Sequence, residues 1–315
     1  MSPFLSNLLA VGQQVAVLFV LIGLGALARF TRTLDDVSVR GATALLLNFV
    51  TPCLLIATFQ RDYSADQLAT IGLAGMLGFG FHFISMALAY IFLRDSNPSR
   101  DVVLKFALVF TNAGFMSLPL QKEVLGADGV FCGAVIVGVF QIMCWTYGIW
   151  LMGGRGTKIP LGKMLLNPGI VGIVVALAFF LLGVRLPGFA AKPCAMMGEL
   201  NTPLAMVVIG YHLAGSRIAG VFGDAKALFA IALRLVVSPL VLVAVLALFG
   251  SWDRTLLVAT VIAASAPTAA ITTILAVQFR RDIPLSVALV SLSTIASIVT
   301  MPLVVALADT LLSRH

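Results

Sequence analysis

Charge is what this sequence has least of. Only 10% of its 315 residues are Asp, Glu, Lys or Arg, against 60% hydrophobic, and its mean hydropathy is +1.08. Soluble domains carry about 25% charged residues, so the shortage excludes a soluble fold and leaves an all-α integral membrane protein. Histidine and cysteine are also scarce, at three and four residues. There is no C-x-x-C pair and no H-E-x-x-H. Cys53, Cys132, Cys144 and Cys194 read as buried fillers, and no metal site is expected. No G-x-x-x-x-G-K-[ST] is present, which excludes ATP hydrolysis within this chain as a driving force. An intramembrane enzyme needs paired Asp residues, a Ser with a base, or a His/Glu metal cluster. The apolar runs carry no mid-run Asp and two isolated histidines, His82 and His212, so no catalytic residue is expected and no enzyme.

The net charge of +7 is not a nucleic-acid signal, because the basic residues fall singly in short gaps between apolar runs. About 20 mostly apolar residues span a bilayer. That rule predicts ten spans, at 8–28, 39–59, 68–93, 102–121, 129–152, 166–184, 194–214, 225–249, 254–279 and 284–310. Ala26-Leu27-Ala28 has the look of a signal-cleavage site, but no basic stretch precedes it, so the first run reads as a retained helix. One side would hold Arg29, Arg32, Arg40, Arg94, Arg100, Lys105, Arg155, Lys158, Lys163, Arg217, Lys226, Arg280 and Arg281. The other would hold Arg61, Lys122, Arg185, Lys192, Arg254 and Arg314. Thirteen against six predicts a multi-pass protein of the plasma or inner membrane, with both termini outside the cytoplasm.

The run at 102–121 contains Asn112-Ala113-Gly114-Phe115-Met116-Ser117-Leu118-Pro119. A proline there removes a backbone donor and breaks or kinks the helix. Broken backbone at membrane depth is tolerated only against protein or a water-filled cavity, and it points to a transporter's substrate site. A second break is expected at Ala266-Pro267-Thr268 in the ninth span. Asn48 with Thr51-Pro52 in the second span matches Asn201-Thr202-Pro203 in the seventh. Pro52 to Pro119 is 67 residues, and Pro203 to Pro267 is 64. Two halves of five spans with the same punctuation predict a 5+5 inverted repeat. Residues 1–152 form one half, a basic linker covers 153–165, and 166–315 form the second, with broken helices 4 and 9 crossing near the midplane. Half-helix N-terminal ends at that crossing suit a carboxylate, and C-terminal ends suit a cation or donors.

The Asn112–Leu120 stretch resembles the N-[ST]-G-F-[ML]-G-L-P-[LI] signature of the auxin efflux carrier family of membrane transport proteins, which includes bacterial malate and malonate permeases and the plant PIN exporters. Asn48, Thr51-Pro52, Thr202-Pro203-Leu204 and Ala266-Pro267 fit as well, while Ala113 and Ser117 depart from the usual residues. The resemblance implies a scaffold of spans 1, 2, 6 and 7, a transport domain of spans 3–5 and 8–10, and a homodimer moving by an elevator mechanism. It implies a small organic anion as partner, with Asn112, Gly114, Pro119 and Pro267 framing the substrate site. Bile-acid/sodium symporters are similar in fold, so a coupling proton or sodium ion is the one added species in play, and a sodium-coupled symporter is the alternative.

The remaining intramembrane polar residues each admit two readings. Gln141 either faces the crossing or bonds a neighbouring helix. Thr268 follows the second break and is assigned to the substrate site, whereas Thr272 and Thr273 more simply bond their own helix. Asn48 and Asn201 read as repairs to broken scaffold backbone. His82 is either a proton carrier or a packed neutral ring. Arg234, about ten residues into the eighth span, attracts the anion or snorkels to the interface. With Arg234 and no mid-span acid, an anion is favoured over a cation as cargo, and sodium coupling would call for more acidic or amide ligands. If Pro267 makes the second break, Pro267→Ala should let span 9 run on and slow transport. Wild-type uptake by that variant in reconstituted liposomes would remove the break from the mechanism.

Overall fold

A computed structural model describes residues 3–154, 156–157, 162, 166–216, 221–249 and 253–312. Every regular element in it is helical. Twelve stretches follow in chain order among the described residues: α1 Pro3–Phe30, α2 Asp36–Thr58, α3 Ala65–Phe92, α4 Pro98–Val109, α5 Ala113–Gly153 and α6 Pro168–Leu181. The second half continues with α7 Gly188–Glu199, α8 Asn201–Ala214, α9 Ala225–Leu248, α10 Arg254–Ser265, α11 Ile271–Gln278 and α12 Ile283–Leu312. Six of them (α1, α2, α3, α5, α9 and α12) are long and apolar enough to cross a membrane. The other expected runs take the form of shorter helices: those at 102–121, 194–214 and 254–279 are interrupted at Phe110–Asn112, Leu200 and 266–270, and the run at 166–184 forms the 14-residue α6. Of the residues counted for orientation, Arg155, Lys158, Lys163, Arg217 and Arg314 lie outside the described residues, as does much of the expected linker.

The helices start where the sequence supplies caps. Asp35, Ser64, Asn97, Asn167, Asp224 and Asp253 each accept a backbone N–H of the helix they precede. Three prolines inside the long helices are taken up by π-turns, whereas Pro302 sits within an unbroken stretch of α12. Leu46–Val50 widens just before Pro52, Ala113–Ser117 before Pro119, and Leu233–Val237 before Pro239. A wider turn removes the clash between the proline ring and the preceding carbonyls, so the helix bends without ending. The long α5 is a hairpin in space. At Gly126 the backbone takes φ 68° and ψ −152°, a region open to glycine. Ala113, Leu118, Val130 and Val137 then pack in one buried cluster, although a straight helix would hold Ala113 and Val137 about 36 Å apart.

In the packed bundle α1 lies against α8 and α12, while α2 lies against α6 and α7. The α1–α8 approach depends on two glycines facing backbone. A Cβ on Gly25 would overlap the Val207 carbonyl, and one on Gly210 the Ile22 carbonyl. Small residues at helix crossings are how bilayer helices gain close contact where burial from water gives no drive. At one end, Arg100 ion-pairs with Asp224, Asp282 and Asp95 and so ties together the starts of α9 and α12 and the α3–α4 loop; Lys226 adds a 3.0 Å bond to Asp95. The Asn97 N–H and then Lys226 hold the Asp95 carboxyl below the ordinary carboxylate range, so this staple weakens only as pH falls through that lowered value. Gly210→Val should cost about 1–3 kcal/mol by overpacking, read as a lowered Tm in detergent. An unchanged Tm would show that the α1–α8 approach is not tight.

Candidate functional site

The described chain breaks twice, and the breaks meet. α4 ends at Val109, with Phe110 already extended (φ −103°, ψ 114°), and α10 ends at Ser265, with Ala266 extended (φ −63°, ψ 150°). Thr111 and Thr268 then form an isolated antiparallel bridge. Asn112 N–H donates to Pro267 O at 2.7 Å, and Ala269 N–H donates to Phe110 O at 2.9 Å. Each break thus supplies the partners that the other needs, which is what unwound backbone requires away from water. The Thr268 hydroxyl adds a bond to Ala107 O at 3.1 Å, and Thr268 N–H donates to Ser293 Oγ at 3.1 Å.

On the far side of each break a new helix begins facing the same space. Asn112 precedes the start of α5, and Ala270 precedes α11; neither start has a side-chain cap. Between them lies a cavity of about 260 Å³. Thr111, Asn112, Ala113 and Gly114 contribute from one crossing strand, and Ala269, Ala270 and Ile271 from the other. Asn48 and Thr51 of α2 and Asn167 at the start of α6 close the facing wall. Phe115, Phe140, Trp145 and Ile274 make most of the rest apolar, and no charged side chain lines it among the described residues. Two helix starts without side-chain caps therefore bring partial positive charge to an otherwise amide-lined and apolar chamber, although at α11 the Thr272 and Thr273 N–H groups already donate to Ala269 O and Ala270 O. A third start, that of α6, has its Gly169 and Ile170 N–H groups taken by Asn167 Oδ1.

Of the sequence-predicted residues, Asn112, Gly114 and Gln141 line this cavity. Gln141 also accepts from Trp145 Nε1 at 3.2 Å, so its amide is oriented along α5. Pro267 and Thr268 build the crossing but do not line the cavity; Pro267 offers its carbonyl to Asn112 and Thr268 its hydroxyl to α4. Pro119 needs a correction. The break falls at Phe110–Asn112, and Pro119 is inside α5, with its missing donor absorbed by the preceding π-turn. It faces a recess of about 20 Å³ shared with Glu199, Asn201 and Thr202.

Arg234 also stands elsewhere than expected. It is 1% exposed, so it does not snorkel, and it does not line the cavity. Its guanidinium donates to Leu108 O at 2.6 Å and to Ala264 O, the carbonyls of the penultimate residues of α4 and α10 just before the two breaks. Phe81 lies beneath it, 5.2 Å to the ring centroid. His82 is likewise buried, with Nδ1 against Gly78 O at 2.7 Å and its ring beside Phe110 and Phe140. It packs behind the crossing, away from the cavity.

Sequence reasoning missed Gln121 and Asn167. Gln121 is fully buried and donates to Ala259 O at 2.8 Å, joining α5 to α10. Asn167 caps α6, and nothing local in the sequence shows which chamber it faces. The Asn48 expectation changes too: it is exposed in the cavity wall, whereas Asn201 is the residue that accepts the Thr51 hydroxyl at 3.3 Å.

The family described as membrane transport protein matches residues 10–163 and 157–305. An uncharacterized transporter of Methanothermobacter thermautotrophicus is 24% identical over 300 residues, covering 92% of this chain and 96% of its own length. Another uncharacterized transporter, of Methanocaldococcus jannaschii, is 24% identical over 305 residues with the same coverage. Thr268→Val keeps the side-chain shape and removes the bond to Ala107 O, so it should cost about 1 kcal/mol, measurable as a lowered Tm. No loss at all would show that the crossing does not depend on that bond.

Proposed function

We propose that this chain, which belongs to the membrane transport protein family of the auxin efflux carriers, is a secondary transporter of small organic anions. The cavity at the crossing is the observation that carries the reading. Its two uncapped helix starts suit one carboxylate, and its Phe115, Phe140, Trp145 and Ile274 walls suit an apolar body. That combination favours a monocarboxylate over a dicarboxylate, whose second charge would meet amides and rings but no lysine or arginine among the described residues.

The cavity is also placed where movement would expose it. One wall comes from α2 and α6, in the proposed scaffold, and the other from the crossing in the proposed transport domain. The Arg100 staple and the paired breaks favour the helices of that transport domain moving as one body. With the orientation expected from the basic residues, the cavity, lined by Asn167 and Gln278, would lie toward the cytoplasmic side, and the smaller recess beside Pro119, lined by Lys122 and Glu199, toward the outer side. Elevator motion in a ten-span 5+5 arrangement, assembled as a homodimer, accounts for both. Such a protein resides in the plasma or inner membrane and carries out no catalysis.

Asn112 lines the cavity from the position just before α5, where its amide can donate to a carboxylate held on the helix start. In liposomes with imposed proton, sodium and voltage gradients, the purified protein should take up radiolabelled indole-acetate saturably and in preference to malate or malonate. Asn112→Ala should cut that uptake about 10- to 100-fold while inserting normally. Absence of saturable uptake for all three acids under every gradient would overturn the reading, and full uptake by Asn112→Ala would remove that residue from the site.

A further inference from the structure

Helix C-terminal ends carry unpaired carbonyls and partial negative charge. Where two broken helices cross in a membrane, the carbonyls at those ends are the ordinary place for a coupling cation to bind. In this chain the ends are α4 and α10, and both are already occupied. Arg234 reaches in from α9 and donates one guanidinium nitrogen to Leu108 O and the other to Ala264 O. Its side chain is 1% exposed, and Phe81 covers its face. The π-turn Leu233–Val237 sets the angle at which it leaves α9. No carboxylate pairs with it among the described residues; the two helix ends are its counter-charge.

We propose that Arg234 is the crossing's built-in cation: a positioning residue whose guanidinium fills the place of a coupling cation between the C-terminal ends of α4 and α10, so that this carrier assembles its substrate site and works without sodium. The inference rests on the transporter reading for its functional half only; its structural half concerns the folded protein alone. A guanidinium suits the task because it delivers two donors in a fixed plane to two separate carbonyls. Being covalently attached, it also adds no cation stoichiometry to the transport cycle. The charge that fixes the C-terminal ends lies behind the crossing, while the N-terminal starts, which lack side-chain caps, lie on the cavity side.

The test compares wild type, Arg234→Met and Arg234→Lys in two ways. The first is the Tm of the purified proteins in sodium chloride and in choline chloride at equal ionic strength, which needs no substrate. Wild type should show the same Tm in both salts. Arg234→Met, with two buried carbonyl ends uncovered, should melt about 5–10 °C lower in choline chloride and recover part of that loss in sodium chloride. Arg234→Lys, which keeps one charge with fewer donors, should fall between them and serves as the readout if Arg234→Met does not fold. The second is uptake of radiolabelled indole-acetate in liposomes with sodium or choline on both sides. Wild-type rates should be equal, whereas the variants should be slow in choline and faster in sodium. Sodium stabilisation or sodium-dependent uptake of wild type would overturn the proposal, as would variants that melt and transport like wild type, or variants weakened equally in both salts. If wild type carries no acid at all, the transporter reading fails and the Tm comparison still decides the role of Arg234.

Discussion

Two helices stop in the middle of this protein, and the polar groups they leave behind must find partners where water is scarce. The structure meets that constraint by making each break the partner of the other. Asn112 and Ala269 donate across the gap to Pro267 and Phe110, the Thr268 hydroxyl and the Ser293 oxygen take up neighbouring groups, and the Arg234 guanidinium holds the carbonyl ends of α4 and α10. Without this mutual satisfaction the breaks would cost several kcal/mol per unpaired group. With it, the chain holds open a chamber that a continuous helix would fill.

The division of charge across the crossing gives that chamber its chemistry. Arg234 sits behind the junction, on the C-terminal ends, and contributes packing and positioning there. The helix starts of α5 and α11 face forward, uncapped, toward a wall of amides and rings. Under the proposed function, an anion meeting this face would encounter backbone donors whose directions are fixed before it arrives, so that little ordering is required on binding. An apolar body packs against Phe115, Phe140 and Trp145 in the same step. Specificity on this view comes from the shape of the wall, and charge recognition comes from the fold itself.

Around the crossing, the supporting contacts are of three kinds. Glycines let α1 and α8 approach to backbone contact, π-turns carry Pro52, Pro119 and Pro239 through helices that would otherwise kink sharply, and the Arg100 staple binds helix starts at one end. The glycine contacts and the staple lie away from the chamber, whereas the π-turns at Leu46–Val50 and Ala113–Ser117 form part of its wall. The prolines in particular do less than their reputation: Pro119 bends a helix that has already broken seven residues earlier, at Asn112.

The sequence by itself determined the membrane class, because so few charges and so many apolar residues admit no other solvent. It also determined that polar breaks lie near Asn112 and Pro267, and the family, since its motif is local and contiguous. Tertiary structure decided the rest. Which residue of the Asn112–Pro119 stretch makes the break depended on a strand partner 157 residues away, Thr111 against Thr268. Whether Arg234 met substrate, lipid headgroups or carbonyls depended on where α4 and α10 end in space, and no window of sequence contains all three helices. Long-range pairing chose among readings that local propensity left level, because an unpaired donor or a buried charge is settled only by what the rest of the fold brings to it.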